Sequence, residues 1–312
     1  MAKDHVEALD AALATYGSML TKEPKAAVAP RATTPVEGAP KPPPPTSVPL
    51  NKITRPNGQD YIPRNIKELE TTDVEFVQRA YSNEMPVLLY GPPGTGKTAL
   101  LEAALPGLVT LMGTAETEVS DFVGTWVQRT DGMYEWVDGP LVIAAEGGLP
   151  LLVDEVALID SRTMSVVYSL MDGRGELPIT ANPARPTVKV KQGFVVMGAC
   201  NPDVPGAVMS DALLSRFKVH INVMTDWNLA KRLGVGTKII TVAKNLDLKY
   251  KASECVAPPQ LRELLTFQQT SALYGEAVAL RNFLAQSRPE DRVLYSNAIA
   301  SVFGSAVEPL TF

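Results

Sequence analysis

The stretch Gly91 to Thr98, GPPGTGKT, sets three glycines, a lysine and two hydroxyls within eight positions, in the spacing G-x-x-x-x-G-K-T. Glycines at 91, 94 and 96 let a backbone curl until its N–H groups converge on phosphate oxygens, and a helix starting there points its positive end at the same spot. In such a loop Lys97 reaches the β- and γ-phosphates, and the Thr98 hydroxyl ligates magnesium. Gly91, Pro92, Pro93, Gly94, Thr95, Gly96, Lys97, Thr98 and Leu100 are therefore the expected nucleotide-binding residues.

The segment LPLLVDEVALID carries a second set of chemical groups. An apolar run ends in Asp154 and Glu155, which puts two acids at the carboxyl end of a buried strand, where an open α/β sheet binds its ligand. Asp154 is expected to hold the metal with Thr98, and Glu155 to orient or deprotonate an attacking water. In FVVMGACNPD, Asn201 ends another buried strand; its amide either holds that water or the γ-phosphate, or opens a turn with Pro202. In DALLSRFKVHINV, Arg216 closes a helical stretch, where it either stabilises charge on a neighbouring subunit's phosphate or caps the helix.

Strands and helices must hold these groups. Val87–Tyr90, Leu108–Met112, Leu149–Val153 and Phe194–Ala199 are short apolar runs, the pattern of strands covered on both faces, and they alternate with helical segments. This predicts an α/β fold with a parallel sheet flanked by helices. Beyond Val223 the strand signal ends, and residues 225–312 read as a small all-helical domain. The core is assigned to 60–224. Ahead of it, Val6, Leu9, Leu13, Tyr16 and Leu20 form one stripe of a helix within 1–22, too short to stand firmly alone. Residues 23–59, with KPPPPTSVP at their centre, read as a Pro/Ala-rich flexible linker, extended at roughly 3 Å per residue.

The chain has 312 residues and 45% hydrophobic content, enough for one large core and a smaller one. A net charge of −5 leaves no broad basic face, so nucleic acid is not an expected partner. Cys200 and Cys255 have neither zinc-chelating nor disulfide-framework spacing, and the first residues resemble neither a secretion signal nor a membrane span. A reduced cytoplasm is the expected location. His5 and His220 lack ligand partners at useful spacing, so both are expected to be structural.

GPPGTGKT, LLVDE, GACNPD and LLSRF, in that order and followed by a helical domain, resemble an AAA+ ATPase over roughly Tyr61 to Phe312. The resemblance implies ATP and Mg2+ as cofactors. It matches Asn201 to the sensor-1 position, Arg216 to the arginine finger and Arg262, in PPQLRELL, to sensor 2. Here the pattern departs from the usual Ser-x-Arg or Pro-x-Arg, since Pro259 and Arg262 are separated by two residues. The stretch VSDFVGTWVQRTDGMYEWVDGPLVIAAEGGLP contains Asp131-Gly132, a hairpin turn signal, between Val127–Thr130 and Met133–Val137. It is similar to the MoxR branch, closest to the CbbQ/NorQ-like group, and a second insertion from Gly173 to Gly193 offers another hairpin. Trp126, Tyr134 and Trp136 either face a ring pore or pack on one another, and Arg174 either faces a neighbour's nucleotide or anchors its own loop.

The branch implies a homo-oligomeric ring, usually a hexamer, that remodels or activates a client protein by a chaperone-like action, cofactor insertion or enzyme reactivation, often with a von Willebrand factor A-type protein. An alternative is a nucleic-acid-stimulated motor or restriction-type NTPase resembling McrB.

Overall fold

The structure, a computed structural model, describes residues 52–311. The expected N-terminal helix and most of the expected linker lie outside the described residues. Linker character ends earlier than residue 59, because Ile53–Thr54 already pairs antiparallel with Asp60–Tyr61. Arg55 fastens this turn, donating 2.8 Å to Glu102.

Five strands form the parallel sheet: β1 (Val87–Tyr90), β2 (Val109–Met112), β3 (Pro150–Asp154), β4 (Val195–Cys200) and β5 (Val219–Asn222), in the order β5-β1-β4-β3-β2. Every residue of β1, β3 and β4 is buried, as expected of continuous apolar runs sandwiched between helix layers. The core helices are α1 (Asp73–Ser82), α2 (Lys97–Ala104), α3 (Val119–Val123), α4 (Pro140–Gly147), α5 (Ser161–Met171) and α6 (Asp211–Leu214). Thr72 and Glu75 close a reciprocal capping box at the start of α1, which fixes the first helical residue at Asp73.

Two antiparallel hairpins project from the core. Gly124–Gln128 pairs with Tyr134–Asp138, and Glu176–Leu177 pairs with Val188–Lys189. In the first, Trp126 and Trp136 face one another across the ladder, edge to face at 5.7 Å. Trp126 Nε1 also donates to Ala181 O of the second insertion, while Tyr134 is exposed.

The C-terminal helices are α7 (Trp227–Arg232), α8 (Thr237–Lys251), α9 (Leu261–Tyr274), α10 (Glu276–Ala285) and α11 (Arg292–Phe303). They share a core of Leu229, Ile239, Leu246, Leu264, Phe283 and Ile299. The longest of them, α8, runs on to Lys251, with Ile239, Val242, Ala243 and Leu246 as buried positions on its apolar face. Tyr61 packs in the sheet-side core and its neighbour Ile62 in the helical one, so this segment is wedged between the two. Among the described residues no helix is long and apolar enough to cross a membrane.

Candidate functional site

The phosphate-type loop joins β1 to α2, and its glycines are dictated by space. Gly91 has φ +138°, and a Cβ there would stand 2.7 Å from Val223 O. Gly94 has φ +76°, and a Cβ there would meet Arg262 Cβ at 2.7 Å. Only glycine accepts both the left-handed backbone and the close approach.

Lys97 is buried at the start of α2, and its Nζ donates to Gly91 O and Pro92 O, 2.9 Å each. Burial pulls its pKa below the usual lysine value, against the opposing pull of Glu155 and Asp154. The buried Thr95 donates to the Pro92 carbonyl as well, at 3.0 Å. Pro92 thus shapes the loop through its carbonyl, while Pro93 lines a cavity of about 290 Å³ shared with Asn201 and Gln260.

Across the loop stands the acid pair. Thr98 Oγ1 donates to Asp154 Oδ2 at 2.7 Å, and Glu155 N donates to Asp154 Oδ1 at 3.0 Å. Glu155 sits at φ +51°, left-handed backbone that a non-glycine residue adopts at a cost, and its Oε2 accepts from Asn201 N at 3.3 Å. The Asn201 side chain accepts from Asp203 N at 3.1 Å. In this geometry its amide opens the turn after β4, one of the two roles expected of it. Lys97, Thr98, Asp154, Glu155 and Asn201 therefore converge at the carboxyl edge of the sheet, although they come from three separate segments.

The hard-oxygen pair of Thr98 hydroxyl and Asp154 carboxylate fits a magnesium ion that keeps waters and shares phosphate ligands. The curled loop with its desolvated lysine fits a polyphosphate.

Two arginines flank the loop. Arg262, near the start of α9, lies over Gly94, and among the described residues its guanidinium makes no hydrogen bond to protein. Arg64, which sequence reasoning missed, approaches from the other side: its Nη2 donates to Thr95 O at 2.5 Å and stands 2.9 Å from where a Gly96 Cβ would be. Both line a cleft of about 580 Å³ between the N-terminal segment, the loop and the C-terminal helices, with Tyr61, Leu229, Leu233 and Leu265 as further walls. Apolar walls beside a phosphate loop suit a flat nucleobase.

Leu100 is placed differently from its expected role. Its side chain is buried in the sheet-side core with Val87 and Leu89, because the helical turn points it away from the cleft.

Arg216 is engaged elsewhere in the chain. Its Nη2 and Nε donate to Asp172 at 2.8 and 3.2 Å, its Nη1 donates to Ala212 O at 2.8 Å, and its guanidinium lies 4.5 Å from the centre of the Tyr168 ring. Arg174 is exposed, and among the described residues its side chain has no partner. His220 Nε2 lies 2.8 Å from Phe217 O and 3.1 Å from Leu214 O, a structural placement. Cys200, beside the acids, is buried; its thiol donates a weak hydrogen bond to Met209 Sδ at 3.6 Å, and burial pushes its pKa up to about 12.

A model of the AAA domain (dynein-related subfamily) matches residues 86–217, the span from β1 to just past Arg216. The chain is similar to midasin of Giardia intestinalis, 30% identical over 49% of this chain and 3% of that protein. It is similar to the CbbQ protein of Hydrogenophilus thermoluteolus, 29% identical over 44% of this chain and 51% of that protein. An uncharacterized protein of Staphylococcus aureus is 25% identical over 71% of this chain and 84% of its own length. The chain thus spans about half of the CbbQ protein and a small fraction of the midasin. A crystal structure of a Cytophaga hutchinsonii protein described as an ATPase aligns with a TM-score of 0.40 at 15% identity, over 73% of this chain and 80% of that one, too loosely to bear on function.

Proposed function

This chain belongs to the AAA+ ATPases, of the MoxR type, and on that premise we propose that it hydrolyses ATP in a magnesium-dependent reaction, as a ring that remodels or activates a partner protein. The observation that carries the reading is the meeting of Thr98, Asp154, Glu155 and Asn201 beside the loop of Lys97.

Lys97 would exchange the Gly91 and Pro92 carbonyls for phosphate oxygens, recovering in the ion pair the solvation it lacks. Thr98 and Asp154 would hold magnesium, which when bound neutralises charge on the β- and γ-phosphate oxygens. Glu155 would release the long bond from Asn201 N, orient the attacking water and accept its proton. Arg262, free over Gly94, would add positive charge on the far side of the loop. Arg216 would act on a neighbouring subunit's nucleotide, which requires the ring. The client, with or without a von Willebrand factor A-type adaptor, would meet the exposed face of the hairpins.

The test is ATP turnover against protein concentration, with and without single-stranded and duplex nucleic acid, alongside light scattering for mass. Specific activity that rises with assembly and ignores nucleic acid supports the reading. Stimulation by nucleic acid overturns it in favour of a motor.

A further inference from the structure

Arg64 lies where three parts of the molecule meet. Its Nη2 donates to Thr95 O in the phosphate loop at 2.5 Å, and its Nη1 donates to Met224 O at 3.4 Å. Met224 belongs to the short connection between the end of β5 at Asn222 and the start of α7 at Trp227. One planar guanidinium thus bridges the loop to the hinge of the helical domain, which a lysine's single ammonium is poorly shaped to do.

The residue is held loosely enough to move and firmly enough to transmit. Its backbone is fixed, since Arg64 N donates to Asp73 Oδ1 and Asp73 N donates to Arg64 O, 2.9 Å each. Its Nε is buried without a hydrogen-bond partner, 3.6 Å from Asp73 Oδ2, the oxygen that Tyr61 OH also holds. The Met224 and Asp73 contacts are both longer than a good hydrogen bond, so a shift of well under an ångström would tighten either one.

The connection closes on itself. Next to Met224, the Thr225 hydroxyl donates to Gln260 Oε1 at 2.7 Å and accepts from Leu261 N at 3.2 Å, which ties the hinge to the start of α9. That helix carries Arg262 back over Gly94. Arg232 of α7 additionally donates to Pro63 O, at 3.5 Å, just before Arg64. The path therefore runs from Thr95 through Arg64, Met224, Thr225 and Gln260 to Arg262, and ends on the same loop it left.

We infer that Arg64 is a positioning residue that carries the nucleotide occupancy of the phosphate loop to the hinge of the helical domain. The inference rests on the reading that the loop binds ATP. Phosphates drawn onto the loop N–H groups fix the Thr95–Gly96 peptide; Arg64 follows the Thr95 carbonyl and pulls the Met224 carbonyl with it. The helical domain then closes its apolar wall over the base.

The experiment uses the whole chain as wild type, Arg64→Ala and Arg64→Lys, with hydrogen exchange measured with and without a saturating non-hydrolysable ATP analogue. In wild type, amides at 94–100 and at 224–233 should both slow, by roughly tenfold or more. In both variants 94–100 should still slow while 224–233 does not. The KM for ATP should rise about tenfold with a smaller change in kcat, whereas a merely structural defect lowers the active fraction and kcat at constant KM. Arg64→Lys keeps the charge, so the test survives if Arg64→Ala folds poorly. Slowing at 224–233 that persists in Arg64→Lys overturns the inference alone. A wild-type loop that gains no protection and binds no nucleotide overturns the reading beneath it as well.

Discussion

Thr98 Oγ1 donates to Asp154 Oδ2 across 2.7 Å, although 56 positions separate the two residues. The bond joins the start of α2 to the end of β3 and brings together two hard-oxygen donors. Asp154→Asn keeps the shape and removes the charge, so it should lower ATP turnover by roughly a hundredfold or more. Phosphate release measured across a magnesium titration checks this, and turnover that survives chelation of divalent ions would refute the metal role.

Lys97 charges less readily than an ordinary lysine because it is buried. Its folded pKa lies below the unfolded one, so the unfolded state binds more protons between the two values. The nucleotide-free protein should therefore gain stability as pH rises through the folded value toward the unfolded one, near 10.5. Lys97→Met removes the buried charge and should leave the Tm of the nucleotide-free protein no lower than wild type. It should also abolish the stabilisation by Mg-ATP, which at a hundred times Kd is about 2.7 kcal/mol. Thermal unfolding with and without nucleotide reads both effects.

Glu155 keeps its left-handed backbone at φ +51° while holding Asn201 N. Glu155→Gln preserves that bond and should bind ATP with scarcely any turnover. Glu155→Gly relieves the backbone and should be more stable than Glu155→Ala by about 1 kcal/mol, with both inactive. Denaturant unfolding and phosphate release together test the claim; equal stability of the two variants would mean that the conformation carries no strain.

How much of this was legible in the chain depends on how far apart the partners lie. GPPGTGKT reveals itself because phosphate binding needs consecutive residues, and Asp154-Glu155 because a buried strand must end where ligands bind. Leu100 was misplaced since adjacency to the motif hides which face of α2 a residue occupies. Arg64 left no local signal: its partner Met224 is 160 positions away, and one arginine before a helix looks like any other. The salt bridge of Arg185 to Asp138, across 47 positions, was invisible for the same reason, while the hairpin it braces was plain from Asp131-Gly132.

That salt bridge ties the two insertions together. Arg185 donates to Asp138 at 2.9 and 3.2 Å and to Glu146 at 2.7 Å, and Trp136 Nε1 donates to the same Asp138 at 2.7 Å. The Arg185 bond holds the Asp138 carboxyl below its usual value. A depressed carboxylate pKa contributes stability that is present above the unfolded value, near 3.8, and is lost as pH falls through the folded value. Tryptophan fluorescence should therefore report loosening of the hairpin pair in acid below about pH 4, with Arg185→Met shifting that change upward. An unshifted acid transition in Arg185→Met would show that the two insertions are held by the Trp126 Nε1 to Ala181 O bond and not by Arg185.

Arg216 offers the sharpest choice between two roles, since within its own chain it is occupied by Asp172, Ala212 O and the Tyr168 ring. A residue that only braces this corner should cost about 1 kcal/mol of stability when lost, with turnover otherwise intact. A residue that serves a neighbour's phosphate must leave Asp172 or carry it along, and its loss should cost roughly 10³-fold or more in turnover, as fingers do in other phosphoryl-transfer enzymes. We expect Arg216→Ala to lose turnover on that scale and to regain part of it when mixed with Glu155→Gln, because a mixed ring pairs an intact Glu155 with an intact Arg216. Asp172→Ala releases the guanidinium and should keep turnover near wild type. Rescue failing in rings shown by light scattering to be mixed, together with a lowered Tm, would assign Arg216 to the brace.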